Sequence, residues 1–186
     1  PDENVQPEVF AGDPTEALVQ LRELLQSTEP VRIIEGIDVA NIAGAEAVGS
    51  LVKFIDGRPF RSGYRRFKIK TVQGIDDYAM IAEVVRRRYK YALRGEELWP
   101  DLVLIDGGLG HLRAAEKALR EMNAPPVKIA SIAKREEDIY LQGPRDEGPL
   151  RLPAHSPVRK LLQYVRDEAH RFAQHYHHIL RSKKML

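Results

Sequence analysis

The stretch that most constrains the fold is DLVLIDGGLG, at residues 101–110. Four consecutive apolar residues, 102–105, are followed by Asp106, Gly107 and Gly108. A short apolar run rich in branched residues predicts a strand buried on both faces of a sheet. Asp106 is then expected at the carboxyl end of a central strand, where a carboxylate usually serves a cation, a hydrogen-bond donor or a reaction. The simpler alternative is a turn residue that caps the next helix.

A second apolar run, residues 31–38, also ends in an acid, Asp38. The small residues at 39–44 follow it and predict a turn. If the two strands are neighbours, their usual separation of about 4.8 Å brings both carboxylates within reach of one metal ion. Oxygen ligands of this kind suit Mg²⁺ or Mn²⁺.

The other patterns predict an α/β fold in which helices pack on a mixed sheet. Asp13 and Pro14 predict the start of a first helix, preceded by a flexible leader at 1–12. We expect a leader and helix at 1–30 and one sheet domain at 31–184. The further expected elements are strands 48–55 and 59–70 joined by an Asp56-Gly57 hairpin, helix 74–94, a helix after Gly110, strand 127–133, a small hairpin within 139–152, and a last helix from Pro157 to about Ser182.

Charge is unevenly distributed along a chain whose formal net charge is only +2. Residues 58–70 and 86–94 contain many bases and no acid. Basic blocks of this kind favour a polyanionic partner such as DNA, although a solvated surface is the alternative. The candidate DNA-binding residues are Arg65, Arg66, Arg86, Arg87, Arg88, Lys134 and Arg171.

Two absences from the sequence bear on location. The chain has no cysteine, and no apolar stretch approaches the roughly 18 residues that a membrane-spanning helix needs. We therefore expect a cytoplasmic protein that does not enter a membrane.

Four motifs occur in order along most of the chain: IEGID at 34–38, LIDGGLGHL at 104–112, AKREE at 133–137 and VRDEAHRFA at 165–173. Together they resemble the C-terminal endonuclease domain of the UvrC family. The resemblance implies a ribonuclease H-like fold and a metal-dependent DNA endonuclease. In that family this domain makes the 5′ incision of bacterial nucleotide excision repair, within the UvrABC system.

The resemblance also implies the site residues. The family's two catalytic aspartates fall on Asp38 and Asp106, and its histidine falls on His170. These three residues are expected to hold Mn²⁺ or Mg²⁺, with His170 acting either as a ligand or as a general base. Asp77, at the start of a helix, matches an acid that also affects incision in the family, although acids are common there as partners of the helix dipole.

The chain departs from the family pattern beside Asp38. Gly36 and Ile37 stand where the family usually has Cys and Phe, and Ala40 and Ala43 stand where it has polar residues. The family's other nuclease domain, its UvrB-binding segment and its helix-hairpin-helix pair are not recognisable in these residues. We therefore expect a monomer that acts on damaged double-stranded DNA, meets UvrB through other parts of a longer protein, and incises weakly or not at all by itself.

Two other functions remain open at this point. The sequence GGLG after a strand could cradle a phosphate in a nucleotide-binding α/β domain without nuclease activity, although it matches neither standard glycine-rich loop. A catalytically inactive DNA-binding module is also possible, but the presence of all three candidate residues argues against it.

Overall fold

The computed structural model describes residues 13–42, 46–142 and 148–184, so the expected leader at 1–12 lies outside the described residues. The helices in these ranges are α1 (Thr15–Leu24), α2 (Asp77–Leu93), α3 (Leu109–Glu121) and α4 (Pro157–Lys184). The strands are β1 (Ile33–Ile42), β2 (Glu46–Ile55), β3 (Arg58–Pro59), β4 (Arg65–Lys68), β5 (Leu102–Asp106), β6 (Lys128–Ile132) and β7 (Ile139–Leu141).

The described strands form a seven-stranded mixed sheet in the order β3-β2-β1-β5-β6-β7, with β4 also paired to β2. β5 is parallel to both β1 and β6, whereas the other pairings are antiparallel. The predicted α/β fold is confirmed. The strands that carry Asp38 and Asp106 are neighbours, since Ile37 of β1 pairs with Ile105 of β5.

β1 is longer than the sequence predicts. Val39–Ile42 were expected in a turn, but β2 pairs with β1 along its whole length, from Ile33 opposite Ile55 to Ile42 opposite Glu46. Asp38 therefore lies inside a strand, one residue beyond the end of the parallel pairing with β5. Pairing with β2 has overridden the weak strand preference of the small residues.

The predicted strand at 59–70 is interrupted by a short 3₁₀ turn at Arg61–Gly63, which separates β3 from β4. α2 begins three residues later than expected, because the Asp76 side chain caps it by accepting a hydrogen bond from the backbone N–H of Ala79. The expected small hairpin consists of β7 and a single bridge between Ile139 and Leu150.

Helices cover both faces of the sheet. α1 and α4 share one core with Ile34 and Leu104, and α2 and α3 share the other with Ile37 and Ile105. Neighbouring residues of a strand point to opposite faces. Ile37 and Ile105 face α2 and α3, so the residues that follow them, Asp38 and Asp106, face α4.

Gly36 allows α4 to lie close to β1. A Cβ atom added at Gly36 would come within 2.7 Å of Val165 Cγ1 on α4. The glycine thus sets the approach of the helix that carries His170, five residues after Val165.

No helix within the described ranges is both long and apolar enough to cross a membrane.

Candidate metal centre

Asp38, Asp106 and His170 meet on the α4 face of the sheet. β1 and β5 supply the two carboxylates from adjacent parallel strands, and α4 supplies the imidazole. One potential ligand atom from each residue lies within 4.8 Å of the other two. His170 Nδ1 is 3.3 Å from Asp38 Oδ2. The structure thus brings together the three residues singled out in the sequence, although 132 positions separate Asp38 from His170.

The two carboxylates are close to each other and largely buried. Asp38 is 7% exposed, and the Asp106 side chain is 6% exposed. Burial, reinforced by the negative charge of Asp38, raises the pKa of Asp106 from 3.8 to about 6. Lys134 Nζ lies 3.9 Å from Asp106 Oδ2 and only partly offsets this rise. Arg166 and His170 also lower this pKa, but the three cations together do not cancel the effect of burial and of Asp38.

His170 is held from both sides of its ring. Its hydrogen bond with Asp38 is the largest influence on its pKa, which is raised above the usual value. On the other side, Gln174 Nε2 is 3.0 Å from His170 Nε2. The Gln174 side-chain amide can donate to Nε2 or accept from it, according to which ring nitrogen carries the proton. Sequence reasoning missed Gln174, although its position one helical turn after His170 is a usable signal.

The donor set fits a divalent cation. Two carboxylate oxygens and one imidazole nitrogen are a ligand combination that Mn²⁺ accepts readily and Mg²⁺ less so. A cation between them would offset the burial and the repulsion by Asp38 that raise the pKa of Asp106. Asp38, Asp106 and His170 are the residues that would hold it.

Asp77 does not join this cluster among the described residues. Its Oδ2 atom lies 3.6 Å from His111 Nε2 on α3. His111 Nδ1 in turn accepts a 3.1 Å hydrogen bond from the backbone N–H of Gly108, in the turn that follows Asp106. The His111 ring also packs edge-on against Tyr78, with centroids 5.0 Å apart. Sequence reasoning missed His111, which lies within the LIDGGLGHL motif.

Comparison with known proteins decides the family. The family model described as "UvrC RNAse H endonuclease domain" matches residues 22–174. The chain belongs to this family. It is 50% identical to the UvrABC system protein C of Koribacter versatilis over 84% of this chain and 26% of that protein. It is 45% identical to the protein of the same name from Methanosarcina mazei over 95% of this chain and 33% of that protein.

The chain thus spans about a quarter to a third of the length of these UvrC relatives. Among solved structures it is similar to an endonuclease V from Streptomyces avermitilis, with a TM-score of 0.49 and 13% identity over 92% of this chain and 93% of that one. The predictions of an endonuclease domain of the UvrC family and of its ribonuclease H-like fold are confirmed.

The AKREE motif, which is part of the resemblance to UvrC, forms the loop after β6. Glu136 and Glu137 both have positive φ angles, +61° and +55°. Glu137 accepts a hydrogen bond from Arg166 of α4, whose side chain is mostly buried and also binds Asp167. This contact joins the loop that carries Lys134 to the helix that carries His170. The loop therefore keeps Lys134 close to the candidate metal centre.

The candidate DNA-binding residues of this UvrC domain differ widely in environment. Arg65 and Arg86 are exposed. Arg87 is paired with Glu83, and Arg171 is paired with Glu168. Arg66 is half-buried against aromatic rings.

Arg88 corrects the prediction of a DNA contact. It is 4% exposed, and its guanidinium binds Glu35 of β1 and Glu97. Glu35 and Asp38 are three positions apart on one strand, so they point to opposite faces of the sheet. Burial and pairing with two carboxylates remove Arg88 from any nucleic-acid surface. Its helical spacing from the apolar residues Ile81 and Val85 is the signal that could have revealed this.

The phosphate-cradle alternative is not favoured in this UvrC domain. A cradle needs free backbone N–H groups, but the N–H of Gly107 binds the carbonyl of Ile132 and that of Gly108 binds His111. Gly107 serves packing instead. A Cβ at Gly107 would lie 2.4 Å from His111 Cγ, and the φ angle of this glycine is +152°.

Proposed function

We propose that this chain makes the 5′ incision in nucleotide excision repair by the UvrABC system, hydrolysing a phosphodiester of damaged double-stranded DNA with the help of a divalent cation. The observation that carries the proposal is the convergence of Asp38, Asp106 and His170 within 4.8 Å. Membership of the UvrC endonuclease family supports the reaction class.

Mn²⁺ is the cation that we expect to bind best, because His170 contributes a nitrogen donor. The cation would supply positive charge to the non-bridging oxygens of the phosphodiester, where negative charge develops in the transition state. Asp38 and Asp106 would hold it in their ionised forms. Because the pKa of Asp106 is about 6 and the pKa of His170 is also raised, binding would release protons and would weaken as the pH falls.

His170 acts as a ligand rather than as the general base. Its Nδ1 atom lies in the carboxylate cluster, and its Nε2 atom is occupied by Gln174. Neither ring nitrogen is therefore left free to take a proton from an attacking water molecule. Gln174 fixes the ring orientation, as outer partners of metal-binding histidines commonly do.

Lys134 and Asp77 have different roles. Lys134 is 62% exposed and its Nζ lies beside Asp106, so it binds a phosphate oxygen of the substrate from the β6 side. Asp77 is a positioning residue that acts through His111, which holds the backbone of the turn after Asp106. This arrangement explains how an acid outside the cluster can affect incision.

Damage recognition and UvrB binding belong to the longer protein in this proposal. The curated relatives are three to four times as long as the matched region. Arg87, Arg88, Arg166 and Arg171 are engaged with carboxylates, and the remaining bases are expected to give only non-specific affinity, with Kd about 10⁻⁴–10⁻⁶ M at physiological salt. Because positioning of the scissile phosphate over the site contributes much of the rate, the chain alone should incise poorly.

The test is a nicking assay with the full-length protein that carries this chain, together with its UvrABC partners, a lesion-containing duplex and Mn²⁺. Asp38→Asn and Asp106→Asn should each lower the rate of the 5′ incision by about 100-fold or more, because each removes a charged ligand. The matched control is Asp167→Asn, which changes an exposed carboxylate on α4. Normal 5′ incision by the folded Asp106→Asn protein would refute the proposal.

A further inference from the structure

A line of side chains crosses the α4 face of the sheet through the metal centre. Asp38 of β1 pairs with Ser50 of β2, and Ser50 pairs with Arg66 of β4. Residues directly opposite each other on neighbouring strands point to the same face. Arg66 therefore lies on the face that holds Asp38, two strands or about 10 Å away. Arg65, its neighbour in the chain, points to the other face.

Arg66 is a half-buried cation without a carboxylate partner among the described residues. Its Nε atom is buried and has no hydrogen-bond partner in that part of the chain. The two arginines that are buried in the described residues, Arg88 and Arg166, each bind two carboxylates, whereas Arg159, half-buried like Arg66, donates to the carbonyl of Leu152. Leaving a buried cation unpaired is unfavourable, so the environment of Arg66 is that of a group whose anionic partner comes from outside.

Aromatic side chains fix the Arg66 guanidinium. It lies over the ring of Phe172, 3.8 Å from the centroid, and within 5.1 Å of the ring centroid of Tyr176, both on α4. A guanidinium stacked in this way keeps the N–H groups of its two terminal nitrogens in the ring-parallel plane, and that plane matches the oxygens of a phosphate. Stacking also limits the rotamer freedom that would be lost on binding.

Ser50 separates Arg66 from the metal centre. It is fully buried, and its hydroxyl has no hydrogen-bond partner among the described residues. It thus places only a small side chain between the carboxylate and the guanidinium. Across the whole face the order is Lys134 after β6, Asp106, Asp38, Ser50 and Arg66, so a cation stands on either side of the two acids.

We propose that Arg66, stacked on Phe172 and Tyr176, is a binding subsite for a backbone phosphate of the DNA strand that is cut, close to the scissile phosphate and on the opposite side of the metal centre from Lys134. The inference rests on the proposed nuclease function and adds the direction in which the strand crosses the site. The strand runs across the sheet from the β6 side to the β4 side, with the scissile phosphate over Asp38 and Asp106.

The test measures how binding depends on salt. This chain is titrated into a short fluorescein-labelled DNA duplex in EDTA, which prevents cleavage, and anisotropy is recorded over a series of KCl concentrations. Loss of one phosphate contact lowers the slope of log K against log[KCl] by about 0.9. Arg66→Gln should show this decrease, so that its affinity deficit shrinks about threefold between about 50 and about 200 mM KCl.

Two further variants make the result specific. Arg66→Lys keeps the charge and loses the planar stack, so it should recover the slope while binding more weakly than the parent. Arg120→Gln is the matched control, because Arg120 is an exposed arginine on α3, which packs on the other face of the sheet. Its slope should equal that of the parent chain.

A measurement on the unaltered protein covers the case in which Arg66→Gln does not fold. The guanidinium resonances of Arg66 should shift on addition of the duplex and should not shift on addition of KCl to the same ionic strength. An unchanged slope for folded Arg66→Gln, or resonances that KCl shifts equally, would overturn the subsite and leave the nuclease assignment intact. Failure of the parent chain to bind the duplex at low salt would overturn both.

Discussion

Replacing the Asp106 carboxylate by an amide should stabilise the metal-free protein. In the folded state, burial and the charge of Asp38 raise the pKa of Asp106 from 3.8 to about 6. The folded protein therefore binds this proton more tightly than the unfolded chain does. Stability is unaffected by the shift below about pH 4, falls as the pH rises through 6, and stays lowered above that.

The size of the effect follows from the shift. One pKa unit corresponds to about 1.4 kcal/mol, so ionised Asp106 lowers the free energy of unfolding by about 3 kcal/mol at neutral and alkaline pH. Asp106→Asn removes the charge and should recover most of that amount. For a chain of 186 residues, this corresponds to a rise in Tm of about 6–12 °C.

The assay is urea unfolding of this chain in EDTA at about pH 8 and at about pH 4, followed by circular dichroism. Asp106→Asn should be more stable than the parent at the higher pH and nearly equal to it at the lower. Asp167→Asn is the control, because that carboxylate is 54% exposed and its pair with Arg166 is worth about 1 kcal/mol or less. Adding Mn²⁺ should stabilise the parent and leave Asp106→Asn nearly unchanged.

Two results would refute this reasoning. If Asp106→Asn were no more stable than the parent at about pH 8, the electrostatic penalty would be absent. If the gain persisted undiminished at about pH 4, it would arise from packing or hydrogen bonding rather than from the removed charge.

Three further predictions concern the residues that support the site. Gly36→Ala should lower the free energy of unfolding by about 1–3 kcal/mol in urea titrations, and by much less in a Val165→Ala background, because the new methyl group meets Val165. Glu35→Ala should lower it by about 3 kcal/mol or more by leaving Arg88 buried without one of its partners, and a loss under 1 kcal/mol would contradict the buried pair. His111→Leu should slow the 5′ incision about 10–100-fold in single-turnover assays with unchanged DNA affinity, whereas weaker binding at an unchanged rate would argue against a positioning role.

Much of the fold follows from local sequence patterns. The apolar run at 102–105 predicted a buried strand, and β5 is fully buried over those residues. Asp56-Gly57 predicted the hairpin between β2 and β3, and both residues have the positive φ angles that such a turn requires. These features depend on interactions between residues close in the chain, which is why periodicity and turn chemistry were sufficient to predict them.

The family motifs identified the three candidate ligands, but the sequence did not indicate what surrounds them. The raised pKa of Asp106 requires both burial and a neighbouring carboxylate from another strand. Gln174 and His111 act through contacts between side chains, and a single sequence does not distinguish them from ordinary polar residues of a helix. The length of β1 likewise depended on its pairing with β2.

The arginines show most clearly which properties the sequence predicts and which depend on the tertiary structure. The sequence by itself determined that bases cluster at 58–70 and 86–94, and that a polyanion is a reasonable partner. The tertiary structure decided that Arg88 is buried against Glu35 while Arg66 shares a face with Asp38. The number of charges is a property of the composition. Whether a charged side chain can contact a partner depends on the face of the sheet that it occupies and on the carboxylates that it meets. Both are set by the packing of residues that are distant in the chain.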